Sequence, residues 1–522
     1  MDKKLEERLK ALAANGPSDV LWGGLKGIEK EALRVDDEGN LSNRSHPAAL
    51  GSALTNKYIT TDFSEALLEF VTPAFANTWE TLRFLCDIHQ FAYAGLDDEL
   101  LWVTSMPCVI PDDEKIPLAR YGKSNIGRMK TLYRRGLGYR YGRAMQTIAG
   151  VHFNYSVPDA FWPVYHDLCG NGRAVDELRS DAYLGLIRNF RRLGWLVLYL
   201  FGASPALCKS FVGQSAPRLA SFDEHTFFEP YATSLRMSDL GYSNKTQAGI
   251  DISLNSLDEY VRDLRAAINT VEPAYEKIGV KVDGRYRQLN ANKLQIENEY
   301  YSPVRPKRVA RSGEKPTAAL LRGGIEYVEI RSIDVNVFDP VGINQNVMRF
   351  VEALLIYCLL SDSPPIAENE WQAILRNHMQ TARHGRDPDF RLLRSSAEVS
   401  LRDWASEIVE GVAAVAELID RADGQGDYSA AVRAQAALVN DSDATPSARI
   451  LAEMRDQDTG FFYYALAAAK GHRDYFAELA PMQAEQLAML QREAAESLER
   501  QAQIEAADTM NFDEFLEHYF QE

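Results

Sequence analysis

Four short stretches of this chain alternate with a period of two, and each sets ionisable side chains among apolar ones. Gly27–Val35 carries Glu29 and Glu31, Thr61–Phe70 carries Asp62 and Glu69, Gly150–Asn154 carries His152, and Ile325–Arg331 carries Glu329. Residues i and i+2 of a strand share a face, so the pattern calls for a sheet that shows carboxylates side by side. Carboxylates held on rigid strands and aimed the same way repel one another, and a cation is what normally makes them tolerable. The six groups therefore read as a magnesium cage. The strand-like runs do not alternate regularly with helical ones, which argues for an α+β fold and against a doubly wound parallel sheet.

Each stretch also has a plainer reading. Glu29 and Glu31, about 7 Å apart on one face, suit bridging cations but also suit a solvent-facing strand edge. Asp62 equally fits an N-cap for a turn over Phe63–Ala66. In Gln146–Tyr155 one face holds Gln146, Ile148, Gly150, His152 and Asn154; this fits a strand lining a cleft, yet a lone histidine also serves as a satisfied core residue. Tyr327, Glu329 and Arg331 share a face, and an acid beside an arginine is also what a surface ion pair looks like. Lys293–Glu299 reads as one further strand, with Gln295, Glu297 and Glu299 on one side.

The rest of the chain narrows the class of function. The net charge of −17 disfavours nucleic-acid binding, which needs phosphate-neutralising cations. Two local basic patches run against that total. Arg120–Arg143 holds eight cations and no acid, and Arg305–Arg311 is the second; either suits the phosphates of a nucleotide, although no phosphate-binding glycine loop of the usual kinds is present. Five dispersed cysteines without a CxxC pair read as reduced thiols of a cytosolic protein. Met1–Asn15 reads as an amphipathic helix, and the apolar run Leu193–Leu207 is too short and too rich in glycine and proline to span a membrane. The texture changes after Ser361–Pro365, from mixed elements to Ala-, Glu- and Leu-rich helix, with Pro481–Ala507 as one long helix and a loop at Gly424–Asp427. This gives an α+β catalytic core over 1–360 and a helical region over 361–522 packed on it.

Taken together the segments resemble the proteobacterial type of glutamate–cysteine ligase. The carrying motifs are long: GIEKEALRV (27–35), TTDFSEALLEFVTP (60–73), SNIGRMKTLYRRGL (124–137), MQTIAGVHFNYSVP (145–158), YATSLRMSDLGYSNK (231–245), LQIENEYYSPVRPKR (294–308) and LLRGGIEYVEIRSIDVN (320–336). The match continues through TPSARIL (445–451) and EAADT (505–509), and only 363–441 lacks a family signature. The resemblance implies a fold like glutamine synthetase and the guanidino kinases: a curved antiparallel sheet forming a funnel, helices outside, and a helical C-terminal region. It implies ATP-dependent joining of the glutamate γ-carboxylate to the cysteine amine through γ-glutamyl phosphate, the first step of glutathione synthesis. Two or three Mg²⁺ ions, replaceable by Mn²⁺, would be held by Glu29, Glu31, Asp62, Glu69, His152 and Glu329. Arg236 would take an amino-acid carboxylate, and Tyr133, Gln146, Tyr242 and Tyr301 would shape the cysteine pocket. Lys307 and Arg331 would meet ATP phosphates, and Arg134 and Arg331 the acyl-phosphate transition state. A cytoplasmic monomer under feedback inhibition by glutathione, with no membrane or nucleic-acid partner, completes the expectation. A related γ-glutamyl ligase with another acceptor, a metal-dependent phosphohydrolase and a silent binding protein are the competing readings.

Overall fold

The computed structural model describes residues 3–15, 19–169, 172–212, 219–241, 249–311, 313–422 and 424–521. At its centre is an open antiparallel sheet of seven strands. These are β1 (Leu25–Val35), β2 (Ile59–Thr61), β3 (Leu67–Val71), β4 (Leu100–Leu101), β5 (Val151–Ser156), β6 (Val304–Lys307) and β7 (Tyr327–Ile333). Their order is β6-β7-β5-β1-β3-β2, and β4 pairs with the far end of β1.

The register explains the alternation. Glu31 lies opposite Glu69, Glu29 opposite His152, Asn154 opposite Glu329, and Glu329 opposite Arg305. Directly opposed residues of antiparallel strands share a face, so one side of the sheet carries all of these polar groups. Ile28, Ala32, Leu68, Phe70, Phe153, Tyr155, Val328 and Ile330 point the other way and are fully buried. A one-residue slip would exchange the two sets, so the burial of this apolar face fixes the position of the acids.

Helices cover the apolar face. Thr78–Ala94 and Gln345–Leu360 pack behind the sheet, and Leu401–Asp420 and Asp427–Asn440 pack on the latter helix. One hydrophobic cluster runs from Leu5 to Leu490. A buried polar link reinforces it: Lys26 of β1 pairs with Glu352 at 2.9 Å, and the Tyr428 hydroxyl donates to the same carboxylate at 2.7 Å. The N-terminal helix spans Lys3–Asn15, the apolar run holds the buried helix Trp195–Phe201, and the long helix near the C-terminus spans Ala484–Ala507. Between residues 361 and 522 the helices are interrupted by a hairpin, Arg391–Arg394 with Ala397–Ser400.

Three local expectations are corrected. Lys293–Glu299 is not a strand; it ends in a 3-10 turn over Glu297–Glu299. Glu297 accepts from Thr317 N at 2.8 Å and Glu299 accepts from Gln295 N at 2.7 Å, and such side-chain acceptors compete with ladder pairing. The strand expected from Gln146 starts only at Val151, after a 3-10 turn at Met145–Thr147. The cysteines are not all free thiols: Cys108 and Cys208 form a disulfide, while Cys86, Cys169 and Cys358 are free. The two partners are 100 residues apart in sequence, and folding brings the loop after β4 against the short strand Ala206–Cys208.

Candidate active site

The polar face of the sheet gathers four of the six expected ligands around His152. Its Nδ1 lies 3.1 Å from Glu29 Oε2 and 3.8 Å from Glu329 Oε1, and its Nε2 lies 3.8 Å from Glu31 Oε1. Glu29, His152 and Glu329 offer ligand atoms all within 4.8 Å of one another. Asn154 donates to Glu29 Oε1 at 2.9 Å, and the Gly150 amide donates to Glu31 Oε2 at 2.7 Å. These bonds orient the carboxylates from the sheet itself.

Glu69 and Asp62 approach from the β3 side. The turn after Asp62 is closed by its own backbone, Asp62 N to Leu67 O at 3.0 Å. Its carbonyl accepts from Arg134 Nε and from the Tyr121 hydroxyl, and Asp62 lines a cavity beside Glu31.

The electrostatics divide the acids in two. Burial alone would raise the Glu329 carboxyl, but Lys307, Arg331 and His152 override it and hold it well below the carboxylate range. Glu29 is likewise low: burial and Glu329 raise it, but the His152 hydrogen bond and the charges of His152 and Lys307 together outweigh them. Burial raises Glu31 despite His152, with Asp62 adding to the rise. Burial and repulsion from Glu29, Asp62 and Glu31 push Glu69 far up. The donor set fits a divalent cation: a cation would relieve this repulsion, and Glu329 Oε2 is buried without a hydrogen bond. The histidine is the unusual member, since Mg²⁺ prefers hard oxygen donors, and it suits Mn²⁺ better.

Beside the acids lies a cavity of about 120 Å³. Tyr133, Arg134, Gln146, Tyr301 and Arg331 line it, so five expected substrate or catalytic residues converge there. Arg331 Nη1 donates to Glu329 Oε1 at 3.0 Å, and Lys307 pairs with Glu329 Oε2 at 3.4 Å. Arg236 does not line this cavity. It is buried beneath Gly150, donating to the Arg331 carbonyl at 2.9 Å and facing Asp334 at 3.4 Å. Tyr242 lies outside the described residues.

The Arg120–Arg143 patch is not a patch in space. The helix Asn125–Tyr141 sends its cations in different directions. Arg128 stacks on Phe512, Arg135 donates to the Tyr286 carbonyl, and Arg140 binds Glu299 at 2.9 Å. Of this helix, Arg134 is the cation that reaches the cavity. Sequence reasoning missed Asn154, Glu299 and Arg305 as site residues. The signal for Arg305 was its place two positions before Lys307, on the same face of the same strand.

Comparison with known proteins shows the family to which the chain belongs. A family profile described as glutamate–cysteine ligase matches residues 9–381. The chain is similar to the glutamate–cysteine ligase of Alcanivorax borkumensis, 50% identical over 526 residues and covering 99% of each chain. It is 48% identical to that of Pseudomonas paraeruginosa over 519 residues, covering 99% of this chain and 98% of the other. Among solved structures, a Francisella tularensis glutamate–cysteine ligase in complex with AMP superposes with a TM-score of 0.90 at 36% identity, covering 96% of this chain and 98% of that one. A bifunctional glutathione synthetase from Pasteurella multocida shares the fold, with a TM-score of 0.73 at 24% identity, over 91% of this chain and 55% of that one.

Proposed function

We propose that this chain, which belongs to the glutamate–cysteine ligase family, activates the γ-carboxylate of L-glutamate with ATP and passes it to the amino group of L-cysteine. The products are γ-glutamylcysteine, ADP and phosphate, and the reaction opens glutathione biosynthesis. The observation that supports the activation step is the single sheet face on which clustered carboxylates meet Arg331 and Lys307.

A carboxylate is a poor acyl donor because oxide would have to leave. Attack of a γ-carboxylate oxygen on the terminal phosphorus of ATP breaks the bond to ADP and gives γ-glutamyl phosphate. The free amine of cysteine then attacks the carbonyl, a C–N bond forms, and phosphate departs with the former carboxylate oxygen. Glu29, Glu31, Asp62, Glu69, His152 and Glu329 would hold two or three Mg²⁺ ions, which supply charge neutralisation between triphosphate and glutamate when bound. Arg331, anchored on Glu329, and Lys307 meet the phosphate oxygens. Arg134, fixed by the carbonyls of Asp62 and Lys130, faces the transferring group from the opposite wall. Tyr133, Gln146, Tyr242 and Tyr301 enclose the cysteine, and Arg236, buried behind Gly150, acts through the Arg331 carbonyl it holds and so positions Arg331.

On this reading the enzyme acts as a cytoplasmic monomer, with residues 1–360 as catalytic core and 361–522 as the helical region packed on it. No helix among the described residues is long and apolar enough to cross a membrane. Glutathione, which carries the same γ-glutamyl group, competes with glutamate. ADP release measured with each amino acid omitted in turn tests the reaction: turnover needs both glutamate and cysteine, and full-rate turnover without cysteine would refute it.

A further inference from the structure

Three guanidinium groups line the cavity beside the acids, those of Arg134, Arg305 and Arg331. Two are already engaged. Arg331 is paired with Glu329 at 3.0 Å. Arg134 donates to two backbone carbonyls and lies over the Tyr121 ring, 4.5 Å from its centre.

Arg305 stands apart. The hydrogen bond it makes is from Nη2 to the Asn298 carbonyl at 3.2 Å, and its Nε is buried without a partner. Its place on the sheet is fixed by the register, which sets it directly opposite Glu329 on the polar face. A half-buried guanidinium that shares a cavity with a second one is the arrangement that an anion completes.

The walls say which anion. Tyr133, Leu137, Met145 and Tyr301 form the apolar, sulfur-tolerant part of a lining that also holds Glu31, Asp62 and Glu299, and its volume of about 120 Å³ has room for a small amino acid. Lys307, on the same strand, points to Glu329 and does not line the cavity. The acceptor brings a single anionic group besides its thiol, the α-carboxylate.

We propose that Arg305 holds the α-carboxylate of the acceptor amino acid and thereby sets the preference for cysteine over amines that lack a carboxylate. The assignment rests on the ligase reading above and adds to it the residue that recognises the acceptor. A guanidinium binds a carboxylate through two parallel N–H donors, so the acceptor is oriented as well as retained, with its amine on the side of the cavity nearer the sheet acids.

The test compares L-cysteine with cysteamine, which keeps the thiol and amine and lacks the carboxylate. ADP release is measured for the wild type, Arg305→Gln and Arg305→Lys at saturating glutamate. In Arg305→Gln the kcat/KM for cysteine falls about 30-fold more than that for cysteamine, or roughly 2 kcal/mol at 1.4 kcal/mol per tenfold. The loss enters through the KM for cysteine while the KM for ATP stays within about twofold of the wild type. Arg305→Lys, which keeps the charge but not the fork of donors, shows an intermediate preference and covers the case in which the glutamine variant does not fold. Equal losses with both acceptors, or a rise confined to the KM for ATP, overturn the assignment of Arg305 alone. Wild-type ADP release that needs neither amine overturns the ligase reading with it.

Discussion

Gly150 is where a single methyl group separates the fold from the function. A Cβ built there lies 2.0 Å from Arg236 Nη2, 2.8 Å from its Cζ and 3.2 Å from its Nε. Heavy atoms in contact need about 3.5 Å, so the guanidinium in Gly150→Ala must retreat by on the order of 1.5 Å. Arg236 is 2% exposed and holds the Arg331 carbonyl at 2.9 Å; a retreat of that size breaks the bond and loosens the strand segment that carries the Arg331 guanidinium. Losing a charge-assisted hydrogen bond worth about 1.5–3 kcal/mol in the support of Arg331 costs roughly 2 kcal/mol, or about 30-fold, in kcat. The obstructing atoms are the far end of a side chain, and the Gly150 amide bond to Glu31 survives in alanine, so the fold and the acid cluster persist. Initial rates of ADP release at saturating glutamate, cysteine and ATP measure the effect, and thermal unfolding checks the fold. A folded Gly150→Ala enzyme with a kcat within about twofold of the wild type refutes this positioning role of Arg236.

Three further outcomes are expected. Glu329→Gln lowers kcat by about 1,000-fold or more, as loss of a charged group in a preorganised site does, and abolishes the rise in melting temperature that Mg²⁺ or Mn²⁺ gives the wild type; an unchanged metal-induced shift contradicts the ligand assignment. His46 is pushed down to about 4 by burial, with Arg34 adding to it. A histidine held neutral in the fold gives full stability above its unfolded value near 6.5 and loses it as pH falls below that. Between pH 7 and pH 5 the wild type therefore loses about 2 kcal/mol more than His46→Gln, read from guanidinium unfolding midpoints; parallel losses in the two proteins refute this. Reduction of Cys108–Cys208, whose partners are 100 residues apart, removes roughly 2–4 kcal/mol of stability. Melting curves with and without a phosphine reductant show it, and Cys208→Ser melts the same under both conditions.

The sheet face was legible because strand periodicity is local. Glu29 with Glu31, Glu69, His152 and Glu329 each stood at a polar position in an apolar alternation, and the apolar half, buried to the last residue from Ile28 to Ile330, locked that register. What the sequence did not carry was direction beyond a strand's own two faces. The cations of Arg120–Arg143 are contiguous in sequence, but a helix turns successive residues through about 100°, and most of them bind neighbours such as Glu299 or Phe512. Arg305 was passed over beside Lys307 because a charge run looks uniform until strand pairing sets one member against Glu329. The Cys108–Cys208 pair depends on two distant segments meeting, and nothing local announces it. Asp334 shows the same limit: it grips Arg236, Ser234 and the Ala203 amide, a junction of three segments with no shared periodicity.

The central claim is that the clustered acids and Arg331 serve the transfer of a phosphoryl group to the γ-carboxylate of glutamate. Glutamate labelled with ¹⁸O in its γ-carboxylate reports on that step alone. If the acyl phosphate forms, each turnover with ATP and cysteine delivers one labelled oxygen into inorganic phosphate, seen by mass spectrometry of the product. Phosphate free of label, with γ-glutamylcysteine still produced, would contradict the account.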